Sequence, residues 1–295
     1  MKSLYDIFAP AKLNLFLHIT GRRSDGYHLL QSVFMLIDWC DTLHFERRTD
    51  GEISREDLAA LLPMDDLVVR AARALKAASA SPLGAHIGIE KRIPTQAGMG
   101  GGSSDAASTL LALNRLWQLD YSLEKLARIG LQLGADVPFF LAGQNAWVEG
   151  IGEKITPVAL PPGRFLVVKP TQGIPTSLIF SDPGLKRNSE TAIISGFAAD
   201  TFGFGRNDLQ GVAQKLCPGV TQALEWLACR GLSGRMTGSG SAVFAQVLRT
   251  IDLTDVPSAF QFRLCKNLDA HPLLGWADRD NSWDGQSGKL SVCGV

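Results

Sequence analysis

The sequence predicts an α+β protein built as two domains, residues 1–157 and 158–295. Three observations carry that expectation. Alternating stretches and helix-period stretches are interleaved in both halves of the chain. A Pro161-Pro162-Gly163 break separates the halves. The length of 295 residues suffices for one large or two medium cores.

The elements follow in order. "AKLNLFLHIT", Ala11 to Thr20, alternates: Leu13, Leu15, Leu17 and Ile19 are expected on one face of a strand, and Lys12, Asn14, Phe16 and His18 on the other. "DDLVVRAARALKAAS" sets Val68, Ala71, Ala72 and Leu75 at helical spacing behind an acidic start, which predicts a helix. "AHIGIEKRIP" reads as a short strand ended by Pro94, and a glycine-rich loop follows. "SDAASTLLALNRLWQL" then lines up Ala106, Leu110, Leu113 and Trp117 on one helical stripe. Ser122 is expected to cap the helix "SLEKLARIGLQLG", which closes at Gly134. "NAWVEGIGEKITPV" reads as a hairpin and "GRFLVVKP" as the first strand of the second half. Helices are expected around 207–216 and 219–230, and "GRMTGSGSAVFAQV" as a glycine turn running into a strand. From Ala277 to Lys289 the chain is polar and irregular.

Lys plus Arg equals Asp plus Glu at 29 each, so no global field favours nucleic acid or an anionic membrane, and an anionic ligand has to be held locally. The N-terminal segment carries Asp6 and Lys12 inside its apolar stretch and fits neither a signal peptide nor a membrane span. The five cysteines are scattered, with no C-x-x-C, which predicts reduced thiols in a cytoplasmic protein with no zinc site and no disulfide framework.

The glycine loop, "PTQAGMGGGSSDAAS" from Pro94 to Ser108, holds Gly98, Gly100, Gly101 and Gly102 and runs straight into a helical pattern. Such a cluster is either a flexible turn or a place where backbone approaches something closely. A helix N-terminus offers unpaired N–H groups and the positive end of the dipole, a natural phosphate seat, with Ser103 and Ser104 available to cap the helix or donate hydroxyls. The loop is not a Walker A loop, because no Lys precedes the Ser pair, and it fits a dinucleotide fingerprint poorly. By themselves, Thr237-Gly238-Ser239-Gly240 read as a hairpin or bulge, Asp136 in "GADVPFFLAG" as a helix cap, and Lys12 as an edge lysine. The other reading of Asp136 is a reactive group in a cleft.

Taken together, "PAKLNLFLHITGRRSDGYH", the Pro94–Ala107 loop, "GADVPFF" and "MTGSG", in that order, resemble the GHMP kinases over most of the chain. Within that family, Asp25-Gly26-Tyr27-His28 after the strand, and Ile174 to Pro183 in the second half, resemble the branch whose substrate carries a cytidine diphosphate. The resemblance implies two α+β domains, the first with a left-handed βαβ unit, meeting at an active-site cleft. It implies ATP and Mg2+, and transfer of phosphate to the 2-hydroxyl of a cytidine-diphosphate-linked methylerythritol in the non-mevalonate route to isoprenoids.

Carried over residue by residue, the resemblance makes Pro94, Thr95, Gln96, Ala97, Gly98, Met99, Gly100, Gly101, Gly102, Ser103 and Ser104 the ATP phosphate loop. It makes Asp136 the catalytic base and Lys12 the cation beside it. Asn14 and Thr176 become substrate contacts, Tyr27 and Phe180 the aromatic pair around cytosine, and His28 the group reading the base's polar edge. His18, roughly 20 Å along an extended strand from Lys12, is structural. The metal ligands are not legible, with Ser104 a candidate only. Expected partners are a small-molecule substrate, no nucleic acid and no membrane, with the chain a monomer or weak homodimer. Other alcohol substrates, or a non-catalytic nucleotide-binding module, are the competing readings; "DGYH" argues against the first and the retention of Lys12 and Asp136 against the second. Three departures stand out. Asp66 occupies a position near the adenine where an amide is common, Asp105 stands where some relatives carry Asn and reads as a helix-start charge or a rival base, the first favoured, and the chain ends at Val295, short enough that a C-terminal strand is expected to be missing or altered.

Overall fold

The alternating N-terminal stretch forms one strand far longer than a pattern of ten residues suggests, and the computed structural model describes residues 1–278 around it. Strand β1, Ser3–Arg22, runs antiparallel along the whole of β2, His28–Arg48. The other edge of β2 is shared by two strands: β4, Gly84–Glu90, covers Thr42–Arg48, and β5, Ala146–Gly150, covers Leu30–Phe34. Strand β3, Ile53–Asp57, lies parallel to β4 with helix α1, Leu67–Ser79, between them, a βαβ unit. Strand β6, Lys154–Pro157, pairs with β5 and closes this sheet. Helices α2, Gly101–Leu116, α3, Leu123–Leu133, and α4, Val137–Ala142, bury their apolar residues with α1 against the sheet. A second sheet opens at β7, Arg164–Pro170. It adds helices α5, Thr176–Ser181, α6, Ile194–Ala199, α7, Gln210–Leu216, and α8, Pro218–Ala228, then β8, Arg235–Met236, β9, Val243–Gln246, and β10, Phe260–Lys266, in the order β10-β7-β9-β8.

The expected two-faced strand is corrected by its surroundings. Register shifts fall between Pro10 and Ala11 and between Asn14 and Leu17, and each changes which face successive residues present. Ile7 and Ala9 therefore join the helical core of the first sheet, Ala11, Leu13, Leu15 and Phe16 pack with Phe165 and Phe244 of the second sheet, and Leu17 and Ile19 reach the core under α7 and α8. Phe16 thus lies with Leu13 and Leu15, not opposite them. From Ala9 to Ile19 β1 is covered on both faces and has no solvent side, whereas Tyr5 and Phe8 nearer its start are exposed. His18 is buried with its ring against Phe16 and Phe204, consistent with a structural part.

Two element ends also differ from expectation. Strand β4 stops at Glu90, short of Pro94, because the Asp41 carboxylate accepts the N–H groups of Arg92 and Ile93 at 2.5 and 2.7 Å and takes them out of the ladder. Helix α2 starts at Gly101 behind an N-cap Gly100 at φ 71°, so Ser103 and Ser104 sit inside the helix and neither caps it. The Ser122 cap on α3 is present, its hydroxyl accepting from Lys125 N–H. Helices α5 and α6, six residues each, are too short to show a period in the sequence. The segment 279–295, where a missing or altered terminal strand is expected, lies outside the described residues.

The glycine loop and the second glycine turn meet backbone to backbone. A Cβ on Gly98, at φ 70°, would stand 2.2 Å from the Thr237 carbonyl oxygen and 2.7 Å from Gly240 N. Ala97 and Gln96 carbonyls accept Ala242 and Ser241 N–H, so the two turns are also hydrogen-bonded. Gly98→Ala should therefore lower stability by at least the roughly 1–3 kcal/mol of a strained positive φ. Gly102→Ala, inside α2 with Leu67 Cδ1 nearest at 3.3 Å, should be neutral or stabilising by up to about 1 kcal/mol. Chemical denaturation of the two variants measures the contrast, and equal midpoints would mean the turns do not interlock.

Candidate active site

The interlocked turns, β1, α2, α4 and the start of α5 enclose a cavity of about 690 Å3. At one side the loop from Pro94 delivers the first turn of α2, where the N–H groups of Gly101, Gly102 and Ser103 have no acceptor within the helix. Pro94 through Ser103 all line the cavity, whereas Ser104 does not; its hydroxyl is buried without a hydrogen-bond partner. The Thr237–Gly240 segment is a hairpin turn, as read from the sequence, and in addition supplies Gly238, Ser239 and Gly240 to the cavity wall.

Lys12 and Asp136 converge here from 124 positions apart in sequence. Lys12 is 3% exposed, so it is no edge lysine. Its Nζ lies 3.6 Å from Asp136 Oδ2, 2.5 Å from Asn14 Oδ1 and 4.6 Å from the centre of the Phe34 ring. Burial lowers its pKa below the usual ammonium range, with Asp136 opposing the shift. Asp136 occupies the N-cap position of α4 yet makes no side-chain cap, which removes the capping reading; its carboxylate is 31% exposed and lines the cavity. The close approach depends on Gly100: a Cβ there would press within 3.0 Å of the Phe140 ring and 3.3 Å of Lys12 Cε. Asn14 also lines the cavity, with Nδ2 donating to Ser32 Oγ at 2.9 Å and its backbone N–H donating to Thr237 Oγ1 at 2.9 Å.

A second charged cluster sits beside the loop, with Lys91 and Asp105 on the cavity wall. Lys91 Nζ donates to Asp105 Oδ2 at 2.6 Å and also to Asp41, all three almost wholly enclosed. Asp105 is therefore not a helix-start charge: it lies in the second turn of α2, facing Lys91, because the helix begins earlier than the serines suggest. Burial pushes its acid up to about 8, with Lys91 pulling the other way. Burial likewise works to lower Lys91, but Asp105 and Asp41 outweigh it and hold the ammonium above its usual range. Nothing in the sequence pairs Asp41 with Lys91. Asp66, at the N-cap of α1, accepts from Val69 N–H and lies 2.7 Å from Arg55, and it lines the cavity with Leu67.

At the other side, Thr176 Oγ1 and Ser239 Oγ are 2.8 Å apart, joining α5 to the glycine turn. Phe180 lines the cavity; its ring lies 5.0 Å from that of His28, tilted by 34°. Tyr27, next to His28 in the turn before β2, is 61% exposed. His28 in turn accepts from Arg187 Nε at 3.0 Å, a residue without any sequence motif to mark it. The structure brings Lys12, Asn14, Asp136, Thr176 and Phe180 to one cavity; Tyr27 and His28 do not line it, and His28 is joined to it through the Phe180 ring.

Residues 66–144 match the family model described as the GHMP kinases N terminal domain, and residues 192–259 the one described as GHMP kinases C terminal. The chain is similar, at 82% identity over 280 residues, to a 4-diphosphocytidyl-2-C-methyl-D-erythritol kinase of Albidiferax ferrireducens, covering 95% of this chain and 98% of that protein. It is 64% identical to the enzyme of the same name from Variovorax paradoxus, over 94% of this chain and 100% of the other. A crystal structure of 4-(cytidine 5'-diphospho)-2C-methyl-D-erythritol kinase superposes with a TM-score of 0.74 at 32% identity, over 88% of this chain and 98% of that one. A homoserine kinase from Cytophaga hutchinsonii, at 14% identity and a TM-score of 0.67, shares the fold.

The Asp105 proton yields a pH signature. Its folded-state pKa, about 8, lies above the ordinary 3.8, so between those values the folded chain keeps a proton that the unfolded chain has released. Stability contributed by this group falls as pH rises through that window and levels off above about 8. Asp105→Asn has no such proton. Its stability relative to the parent should rise from about pH 4 to about pH 8, between the two values that the acid has unfolded and folded, and then stay constant. Denaturation midpoints across that range test it, and a difference independent of pH would mean Asp105 is ionised throughout.

Proposed function

This chain belongs to the GHMP kinases, among the 4-diphosphocytidyl-2-C-methyl-D-erythritol kinases, and we propose that its cleft moves the terminal phosphoryl group of ATP onto the 2-hydroxyl of 4-diphosphocytidyl-2-C-methyl-D-erythritol. It is a phosphotransferase with an alcohol acceptor, in the non-mevalonate synthesis of isoprenoid precursors. The observation that carries the residue roles is the Lys12–Asp136 pair, 3.6 Å apart on the cavity that the first turn of α2 also lines. Phosphoryl transfer depends mostly on positioning and electrostatics, so an acid, a cation and a phosphate cradle are sufficient parts.

In this reading Asp136 accepts the proton of the attacking hydroxyl. Lys12, oriented by Asn14, holds the acid and balances the negative charge of the transferring group. The backbone of Pro94–Ser104 seats the ATP phosphates on the N–H groups of the α2 first turn, where they meet the positive end of the helix dipole. Asp66, on the same wall, accepts from the adenine amino group. Thr176 touches the substrate, Tyr27 and Phe180 flank the cytosine, and His28 reads its edge.

Magnesium fits the donor set. Among the described residues no group of three His, Cys, Asp or Glu side chains could hold a metal ion alone. Magnesium is commonly held through one or two protein oxygens, phosphates and waters, and Ser103 and Asp136 put such oxygens on the cavity. Bound there, it would neutralise phosphate charge. Ser104, whose hydroxyl is enclosed and off the cavity, fits this role less well than Ser103. The division at 157/158 is supported by the gap between Pro157, where the first sheet ends, and Arg164, where the second begins. No described helix is long and apolar enough to cross a membrane. A cytoplasmic monomer or weak homodimer, without nucleic-acid or membrane partners, completes the reading.

Asp136→Asn keeps the side chain's shape and removes the base, so turnover should fall by about 10²–10⁴, as general-base loss does, with the denaturation midpoint retained. Near-normal turnover in the folded variant would return Asp136 to a structural part. Tyr27 is exposed enough that truncation should leave stability unchanged, while stacking on a base contributes about 1–3 kcal/mol. Tyr27→Ala should therefore raise KM for the cytidine substrate by roughly ten- to a hundredfold and leave KM for ATP alone. Steady-state kinetics in both substrates decide it; unaltered KM values would remove Tyr27 from the site.

A further inference from the structure

Arg187 is held in place on its own side of the cleft by three carbonyl oxygens. Its guanidinium donates to Leu185 at 3.0 Å, Phe180 at 3.1 Å and Asp182 at 2.8 Å, so it clasps the C-terminal end of α5 and the turn after it. A fourth donor, Nε–H, points across to His28 Nε2 at 3.0 Å. Arginine has donors only and does not lose its proton in proteins. Nε2 of His28 must therefore be the unprotonated, accepting nitrogen. Burial, with Arg187 and Arg22 adding to it, lowers the His28 pKa below the usual imidazole range, so the ring is neutral near pH 7 and its single proton sits on Nδ1.

From this geometry we propose that Arg187 is a positioning residue that fixes His28 as the Nδ1-protonated tautomer, and that the ring thereby offers a ligand a hydrogen-bond donor and selects a pyrimidine whose position 3 is an acceptor. The recognition half rests on the reading of the cleft given above. Both bases carry the O2 acceptor, but cytosine has an unprotonated, accepting N3 where uracil carries N–H, so a donor aimed at position 3 pairs with cytosine and meets donor against donor in uracil. The Phe180 ring, 5.0 Å from His28, belongs to the same clasped segment, so the stacking surface and the polar reader are placed by one side chain.

Nitrogen-15 NMR of the histidine ring in the free enzyme reads the tautomer directly, with no substrate and no variant needed. Wild-type protein should show Nδ1 protonated and Nε2 bare. Arg187→Met should shift the ring towards the Nε2-protonated form and reduce the preference for the cytidine substrate over its uridine analogue by about three- to tenfold, the size of one neutral hydrogen bond. Arg187→Lys, which keeps a donor, should retain part of both. A merely structural role would lower the denaturation midpoint and leave the ring nitrogens and the cytidine-to-uridine ratio as they are. Nε2 protonated in the wild type, or an unchanged ratio in a folded Arg187→Met whose tautomer has shifted, overturns the proposal. Wild-type enzyme that fails to phosphorylate the cytidine compound overturns the reading of the cleft, and the recognition half with it, while the free-enzyme spectrum still judges the tautomer.

Discussion

Contact between two glycine turns, one leading out of the first sheet and one between strands of the second, is the constraint on which the cleft depends. Gly98 and Gly238 approach so closely that a Cβ on Gly238 would stand 2.5 Å from the Gly98 carbonyl oxygen. Backbone hydrogen bonds from Ser241 and Ala242 to Gln96 and Ala97 hold the two turns in register. Thr237 extends the same joint to β1 by accepting the Asn14 N–H. Asn14 in turn accepts from Lys12. The phosphate loop, the reacting pair and the second sheet are thereby one rigid assembly, with no flexible side chain in its central joint. Glycine at these positions belongs to the joint first and to phosphate access second.

The second feature is how buried charge is managed in a chain whose acids and bases cancel overall. Three enclosed cations have an ionisable acid beside them, Lys12 with Asp136, Lys91 with Asp41 and Asp105, and Arg55 with Asp57 and Asp66, whereas the buried Lys169 is met by backbone carbonyls. Enclosing ions is expensive, and apolar residues of similar volume often stabilise as well, so these groups point to chemistry more than to stability. Of the three, the Lys12–Asp136 pair is the one whose acid keeps substantial exposure, which leaves it able to meet a hydroxyl. The Lys91 cluster is almost wholly enclosed, yet Lys91 and Asp105 also line the cavity, and it lies beside Gly101, where a Cβ would come within 3.1 Å of Nζ, so it supports the loop next to the cavity wall.

Several features were legible in the chain because they are local. The acidic start of α1 and the α3 cap at Ser122 follow from side-chain chemistry beside a helical stripe, and the buried set of α1 follows from its period. The glycine loop's role as a helix-entry segment was equally visible, since four glycines before an apolar stripe allow few alternatives. Residue order alone could leave Asp136 as a cap or a reactive acid and Lys12 as an edge residue or a cation. Only the fold sets them 3.6 Å apart.

What the tertiary structure decided is everything that needs two distant segments at once. The faces of β1 were misassigned because a period of two holds only between bulges, and bulges at Pro10 and after Asn14 arise from pairing with β2 and from cores on both sides. Asp105 was taken for a helix-start charge because its position depends on where α2 begins, and Gly100's positive φ moves that start upstream. Asp41 and Lys91, 50 positions apart, and His28 and Arg187, 159 apart, carry no mutual mark in the sequence. Composition and periodicity act over a few residues and so determine caps, stripes and turns; the partner of a buried charge or of a ring nitrogen is chosen by packing, which the chain acquires only when folded.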